Sequence, residues 1–205
     1  MKRRECAHHL TALLGVCALG VAHASDEAPD AMVKRISTEV LDAVKADAAI
    51  QAGDVGRITA LVDSKIMPNV NFSRMTASAV GRFWRQATPE QQKRLQDEFK
   101  TLLVRTYSGA LGEVKEHTLS FKPLRAKPED TEVVVRSEVR GRGEPIQLDY
   151  RLEKTAGGWK IYDLNVLGVW LVETYRSQFA QEINTKGLDG LIASLAQRNK
   201  ANGKS

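Results

Sequence analysis

The sequence predicts an α+β fold in which a curved, four-stranded antiparallel sheet carries its helices on one face. Three observations lead there. Apolar residues recur at helical spacing as far as Leu111, alternate with a period of two between Leu119 and Val166, and return to helical spacing from Val172 onward. Helices on a strongly bent sheet make a cone. Periodicity alone leaves open whether such a cone is filled by side chains or encloses an apolar cavity.

The first segment, Ala28 to Ala48, repeats Val33, Ile36, Val40 and Val44, and Gly53-Asp54 opens a second with Ile58, Leu61 and Val62 that Pro68 ends. A third, Met75 to Arg85, puts Thr76, Val80, Phe83 and Trp84 on one side. Thr88-Pro89-Glu90-Gln91 is a strong start signal, with threonine as N-cap, proline at the first helical position and glutamine three residues beyond the cap. The stripe that follows is Leu95, Phe99, Leu102, Leu103, Tyr107 and Leu111, with Gly112 placed to stop it.

Alternation then marks four strands by Leu119/Phe121, Val133/Val135/Val139, Leu148/Tyr150/Leu152 and Tyr162/Leu164/Val166. Gly141-Arg142-Gly143 and Ala156-Gly157-Gly158 stand at hairpin positions, so successive strands should pair antiparallel. The opposite positions are Glu132, Arg136, Glu138, Asp149, Arg151, Glu153, Asp163 and Asn165, which predicts a wet outer face. Gly168 ends the sheet. Val172, Tyr175, Phe179 and Ile183 then carry a helix to Gly187, and Leu188, Leu191, Ile192 and Leu195 a last short one, before a frayed tail at 200–205.

Residues 1–24 read as a cleavable signal peptide. Lys2, Arg3 and Arg4 precede an apolar run from Leu10 to Ala22, too short to span a bilayer, and Ala22-His23-Ala24 supplies a small-residue site before Ser25. Acylation at Cys17 is the rival reading, opposed by Val16 where such processing wants a small residue. Residues 25–199 form one domain. Cleavage removes both cysteines and three of the four histidines, leaving His117, so thiolate chemistry and a His/Cys zinc site are excluded. The net charge of +5 falls to about +3 once Lys2, Arg3, Arg4 and Glu5 are removed, a mild excess carried by scattered basic residues, which argues against nucleic acid as a partner.

Few groups suggest catalysis. Tyr162-Asp163 resembles the tyrosine and carboxylate equipment of cone-shaped isomerases, but strand alternation should turn the two to opposite faces. His117 lacks a partner at diagnostic spacing. Arg82, Arg85, Lys93 and Arg94 flank the Thr88 turn, either as a solvated face or to meet a phosphate headgroup or acidic partner. The inward set Phe83, Trp84, Phe99, Tyr107, Val135, Tyr150, Tyr162, Tyr175 and Phe179 could line a dry pocket, but spacing alone favours an ordinary core, because any domain of this size needs such a face.

Two stretches carry a family likeness. Phe72-Ser73-Arg74-Met75 through Trp84-Arg85-Gln86-Ala87-Thr88-Pro89-Glu90-Gln91 to Phe99 and Leu102-Leu103-Val104-Arg105-Thr106-Tyr107 resembles the MlaC (toluene-tolerance auxiliary component) family. So does Trp159-Lys160-Ile161-Tyr162-Asp163-Leu164 through Gly168-Val169, Leu171-Val172, Tyr175-Arg176 and Phe179 to Lys186-Gly187-Leu188-Asp189-Gly190-Leu191. The family usually has serine where Trp170 stands and aspartate where Asn71 stands. The resemblance implies a periplasmic phospholipid carrier, not an enzyme, needing no cofactor and holding acyl chains in an apolar cavity. It implies as partners an outer-membrane lipoprotein–porin complex and an inner-membrane MCE-domain ABC transporter complex. On that reading the inward faces place acyl contacts among Met75, Val80, Phe83, Leu103, Tyr107, Val135, Tyr150, Tyr162, Val166, Val169, Leu171 and Tyr175. The alternatives are a cone-fold enzyme acting on a small apolar substrate and a cavity-free interaction domain.

Overall fold

Asp47, Asp54, Asn71 and Thr88 each precede a helix, and each caps it with its side-chain oxygen. Asp47 accepts from the Ala49 amide at 2.9 Å, Asp54 from Arg57 and Asn71 from Arg74, both at 3.0 Å. The Thr88 box is reciprocal. The Gln91 amide donates to Thr88 Oγ1 at 3.2 Å while the Thr88 amide donates to Gln91 Oε1 at 3.0 Å.

The computed structural model describes residues 27–113, 116–141 and 143–201; the expected signal peptide, Arg142 of the expected Gly141-Arg142-Gly143 turn and residues 202–205 lie outside it. The helices are α1 (Pro29–Ala46), α2 (Ala48–Gln51), α3 (Val55–Leu61), α4 (Phe72–Val80), α5 (Pro89–Glu113) and α6 (Leu171–Ala201). A π-helical turn (Val62–Ile66) and a 3₁₀ turn (Met67–Asn69) follow α3, and a second 3₁₀ turn (Gly81–Gln86) follows α4. The single helix predicted around Met75–Arg85 divides because Gly81 takes a φ of 65°, a conformation that ends α4 and suits glycine. Gly187, at φ 71°, breaks α6 at the position expected to separate two helices.

The sheet is an antiparallel meander in the order β1 (Thr118–Phe121), β2 (Glu132–Arg140), β3 (Ile146–Thr155), β4 (Gly158–Val166) and β5 (Val169–Trp170). The expected four strands are joined by the two-residue β5, because Gly168 turns the chain back along β4 instead of ending the sheet. That turn has positive φ at both central residues, 53° at Leu167 and 87° at Gly168, as a two-residue hairpin of type I′ requires. Leucine is a poor residue there, and this one is 66% exposed. Leu167→Asn should therefore raise stability by about 1 kcal/mol, read as a higher urea midpoint at unchanged slope.

Three apolar clusters fill the interior. One joins α1 to the sheet through Met32, Val33, Ile36, Val133, Val135, Leu152 and Ile161. A second lies between α4, α5 and α6, around Phe72, Met75, Leu95, Phe99, Tyr175 and Phe179. The third packs Val44, Ile50, Ile58 and Leu61 against Val104 of α5. Burial of these side chains is the main favourable term in folding.

The outer face of the sheet is only partly wet. Asp149, Asp163 and Asn165, expected in solvent, are each 5% exposed or less. At the β4–β5 edge the returning chain explains this: the Val172 amide donates to Asp163 Oδ1 at 3.1 Å, the Gly168 amide donates to Asn165 Oδ1 at 2.9 Å, and Arg151 lies 3.8 Å over the Trp170 ring. Asp163 thus ties the start of α6 to the sheet, and Arg151 Nη1 donates to its other oxygen at 2.9 Å.

Candidate functional site

The inner face of the sheet is built in rows. Val133, Leu152 and Ile161 form one row, Val135, Tyr150 and Leu164 the next, and Ser137, Leu148 and Val166 a third. A fully packed two-layer domain would bury all three rows. Instead Leu148, Tyr150, Leu164 and Val166 stay partly exposed, as do Leu103 and Tyr107 of α5 and Leu188 just past the break in α6. Five of these, Leu103, Tyr107, Leu164, Val166 and Leu188, rest against the α4–α5–α6 cluster, while Tyr150 rests against the α1 cluster. An apolar seam thus runs between the two. Burial pushes the Tyr107 phenol above its ordinary 10.0, and it raises Tyr175 as well, so both stay neutral at physiological pH.

The expected contact residues divide accordingly. Leu103, Tyr107, Tyr150 and Val166 border the seam, and Met75, Val80, Leu171 and Tyr175 lie buried in the cluster behind it. Phe83 packs on the edge of that cluster. Val135 is sealed beneath α1 at 1% exposure, and Val169, at 53%, stands on the surface. Leu148, Leu164 and Leu188 join the seam without having been among the expected contacts, although alternation had put Leu148 and Leu164 on the inner face.

Tyr162 turns the other way, and a β-bulge is the reason. Asp163 pairs with Arg151 and Ile161 with Leu152, which leaves Tyr162 as the extra residue between them. Simple alternation therefore fails at this point. Tyr162 and Asp163 both reach the outer face: the Tyr162 hydroxyl donates to Glu132 at 3.2 Å, the Arg74 guanidinium lies 3.6 Å from its ring centre, and Asp163 is held by Arg151. Neither group enters the apolar seam. Among the described residues, no cluster of His, Cys, Asp and Glu is arranged to hold a metal ion.

Arg74 is the clasp between α4 and the sheet. It bonds Glu132 at 2.6 Å and also Glu153, to which the Asn71 amide nitrogen donates at 2.8 Å. The Arg74 bond holds Glu132 below its ordinary 4.5, and the bond from Lys186 does the same for Glu182. A lowered folded-state value gives stability that is present above the unfolded value and lost as pH falls, so the melting temperature should drop below about pH 4.5. Asp163 has the opposite sign, because burial raises it. Its contribution is complete in acid and lost as pH rises through the raised value. Asp163→Asn removes that opposing effect, and the acid limb of a melting temperature–pH curve should steepen.

Fold and seam together define a small α+β binding domain whose apolar interior lies between a sheet and a helical layer. The model of the MlaC protein family matches residues 34–197, and the chain belongs to that family. It is 25% identical over 182 residues to the toluene tolerance protein ttg2D of Pseudomonas putida, covering 85% of each chain. It is 22% identical over 177 residues to the intermembrane phospholipid transport system binding protein MlaC of Haemophilus influenzae, covering 84% of this chain and 83% of that one. A solved phospholipid-binding protein from Ralstonia solanacearum, in complex with a phospholipid, superposes with a TM-score of 0.82. That structure is 49% identical and spans 85% of this chain and 98% of its own.

Proposed function

We propose that this chain is a periplasmic carrier that holds the acyl chains of a phospholipid in the seam and leaves the headgroup in water. It would shuttle lipid between an outer-membrane lipoprotein–porin complex and an inner-membrane MCE-domain ABC transporter complex, after export and removal of residues 1–24. The observation that carries the reading is the run of inward apolar side chains left partly exposed between α5 and the sheet, in a chain 49% identical to a protein solved with phospholipid bound. Leu103, Tyr107, Leu148, Tyr150, Leu164, Val166 and Leu188 are the contacts assigned to the acyl chains.

A carrier answers a definite physical need. Each buried methylene is worth about 0.8 kcal/mol, so two chains of roughly fifteen carbons face a barrier on the order of 20 kcal/mol in crossing water. A dry interior offsets most of it, and direction is left to the partner complexes. Native mass spectrometry of protein purified without added lipid should show one bound phospholipid. Protein that is consistently empty and takes up none from vesicles would falsify the proposal. A cone-fold enzyme would need two titratable groups aimed into the apolar interior, and Tyr162 and Asp163 point away from it.

A further inference from the structure

The outer stripe of α4 carries a feature that acyl-chain binding does not use. Arg74, Ala77, Ser78 and Gly81 recur at i, i+3, i+4 and i+7, turned away from the buried Phe72, Met75, Ala79 and Val80. Together with Arg82, Trp84, Arg85 and Arg176 they line an open cleft of about 430 Å³. Its floor is small side chains and the bare Cα of Gly81, where an added Cβ would sit 3.5 Å from Arg176 Nε. Arginines complete its lining, Arg82 and Arg85 from the 3₁₀ turn and Arg176 from α6.

The charges in this cleft are not balanced. Arg74 is neutralised by Glu132 and Glu153, but Arg82, Arg85 and Arg176 are exposed and form no ion pair among the described residues. Arg82 lies 4.9 Å from the centre of the Phe83 ring, a contact that limits where its head can go. Three uncompensated guanidiniums around one cleft repel each other in the absence of an anion. Each carries a rigid fork of donors matched to an oxyanion, and donors contributed by two separate elements suit a tetrahedral group better than a flat one.

We propose that this cleft binds a phosphate-class oxyanion, on the outer surface of α4 and separate from the apolar seam. The phosphate comes either from the headgroup of an anionic lipid at a membrane surface or from free phosphate. The test compares wild type with Arg82→Gln/Arg85→Gln/Arg176→Gln, and with Lys34→Gln/Lys45→Gln/Lys127→Gln as a control that removes equal charge elsewhere. Each protein is titrated with inorganic phosphate by ³¹P NMR at low salt. Each is also floated with phosphatidylglycerol-containing and purely zwitterionic vesicles. Ser78→Glu, which places a carboxylate in the floor, is the second variant.

The cleft triple and Ser78→Glu are expected to weaken binding about tenfold, while the control triple changes it less than twofold. Loss in both arms supports a general phosphate site, loss with vesicles alone a headgroup site, and loss with inorganic phosphate alone a site for the free ion. The proposal is overturned if wild type prefers neither anion, or if the cleft and control triples behave alike. Bound phospholipid by native mass spectrometry should be the same in all four proteins, so this outcome is independent of the carrier assignment.

Discussion

Leu103→Glu is expected to leave the protein folded and to cut its phospholipid content more than tenfold. Leu103 is on α5, partly exposed and resting against the cluster that forms one wall of the seam. Glutamate is as good a helix former as leucine, and in the empty protein its carboxylate can reach water through the opening that exposes Leu103. With acyl chains in place that water is gone, and an ionised carboxylate against hydrocarbon costs several kcal/mol. Leu103→Met keeps volume and polarity and should retain the lipid. The readouts are native mass spectrometry for occupancy and circular dichroism for fold. A folded Leu103→Glu protein with normal occupancy would show that α5 does not border the lipid. Val135→Trp should behave differently: sealed beneath α1, Val135 has no room for an indole, so the loss there is in stability.

Phe99→Ala is expected to cost about 3–5 kcal/mol, a large part of the 5–15 kcal/mol that holds a typical domain together. Phe99 is fully buried, and three other rings surround it. Its centroid lies 4.9 Å from Tyr175 and 5.2 Å from Phe179, both edge-on, and 5.8 Å from Phe72. Those rings come from α4 and from the first half of α6, so the alanine cavity would loosen three helices at once. Phe99→Leu should cost clearly less, since it keeps most of the volume. Urea denaturation followed by circular dichroism measures both, and a loss under about 1.5 kcal/mol for alanine would mean that the rings collapse into the space.

Local signals in the sequence proved dependable because local chemistry decides them. Thr88, Pro89 and Gln91 start a helix through bonds spanning four residues, and the alternation of Val133, Val135 and Val139 places one face of a strand without help from elsewhere. What the sequence hid depends on residues far apart in the chain. The bulge at Tyr162 exists only in relation to Arg151 on the neighbouring strand, and once it inserts, the facing of Tyr162 reverses. The burial of Asp163 depends on β5 and α6 returning over it. Val135 and Leu164 share one row, yet the first is sealed by α1 and the second is left at the seam. Which inward residue meets a ligand and which meets a helix is decided by the placement of a second layer, and periodicity carries no trace of it.

Val70 is the one side chain that the α1 cluster and the α4–α5–α6 cluster have in common among the described residues. The seam therefore follows a parting line, as in a two-piece mould. Away from that line the halves are tied by the third cluster, where Val44 of α1 meets Val104 of α5, and by the Arg74 clasp to Glu132 and Glu153. On the proposed carrier reading, a small change in the gap at this line would admit cargo of different girth without melting a helix. Amide exchange would register that motion in β3 and β4 around Tyr150 and Leu164, with the amides beside Phe99 still slow.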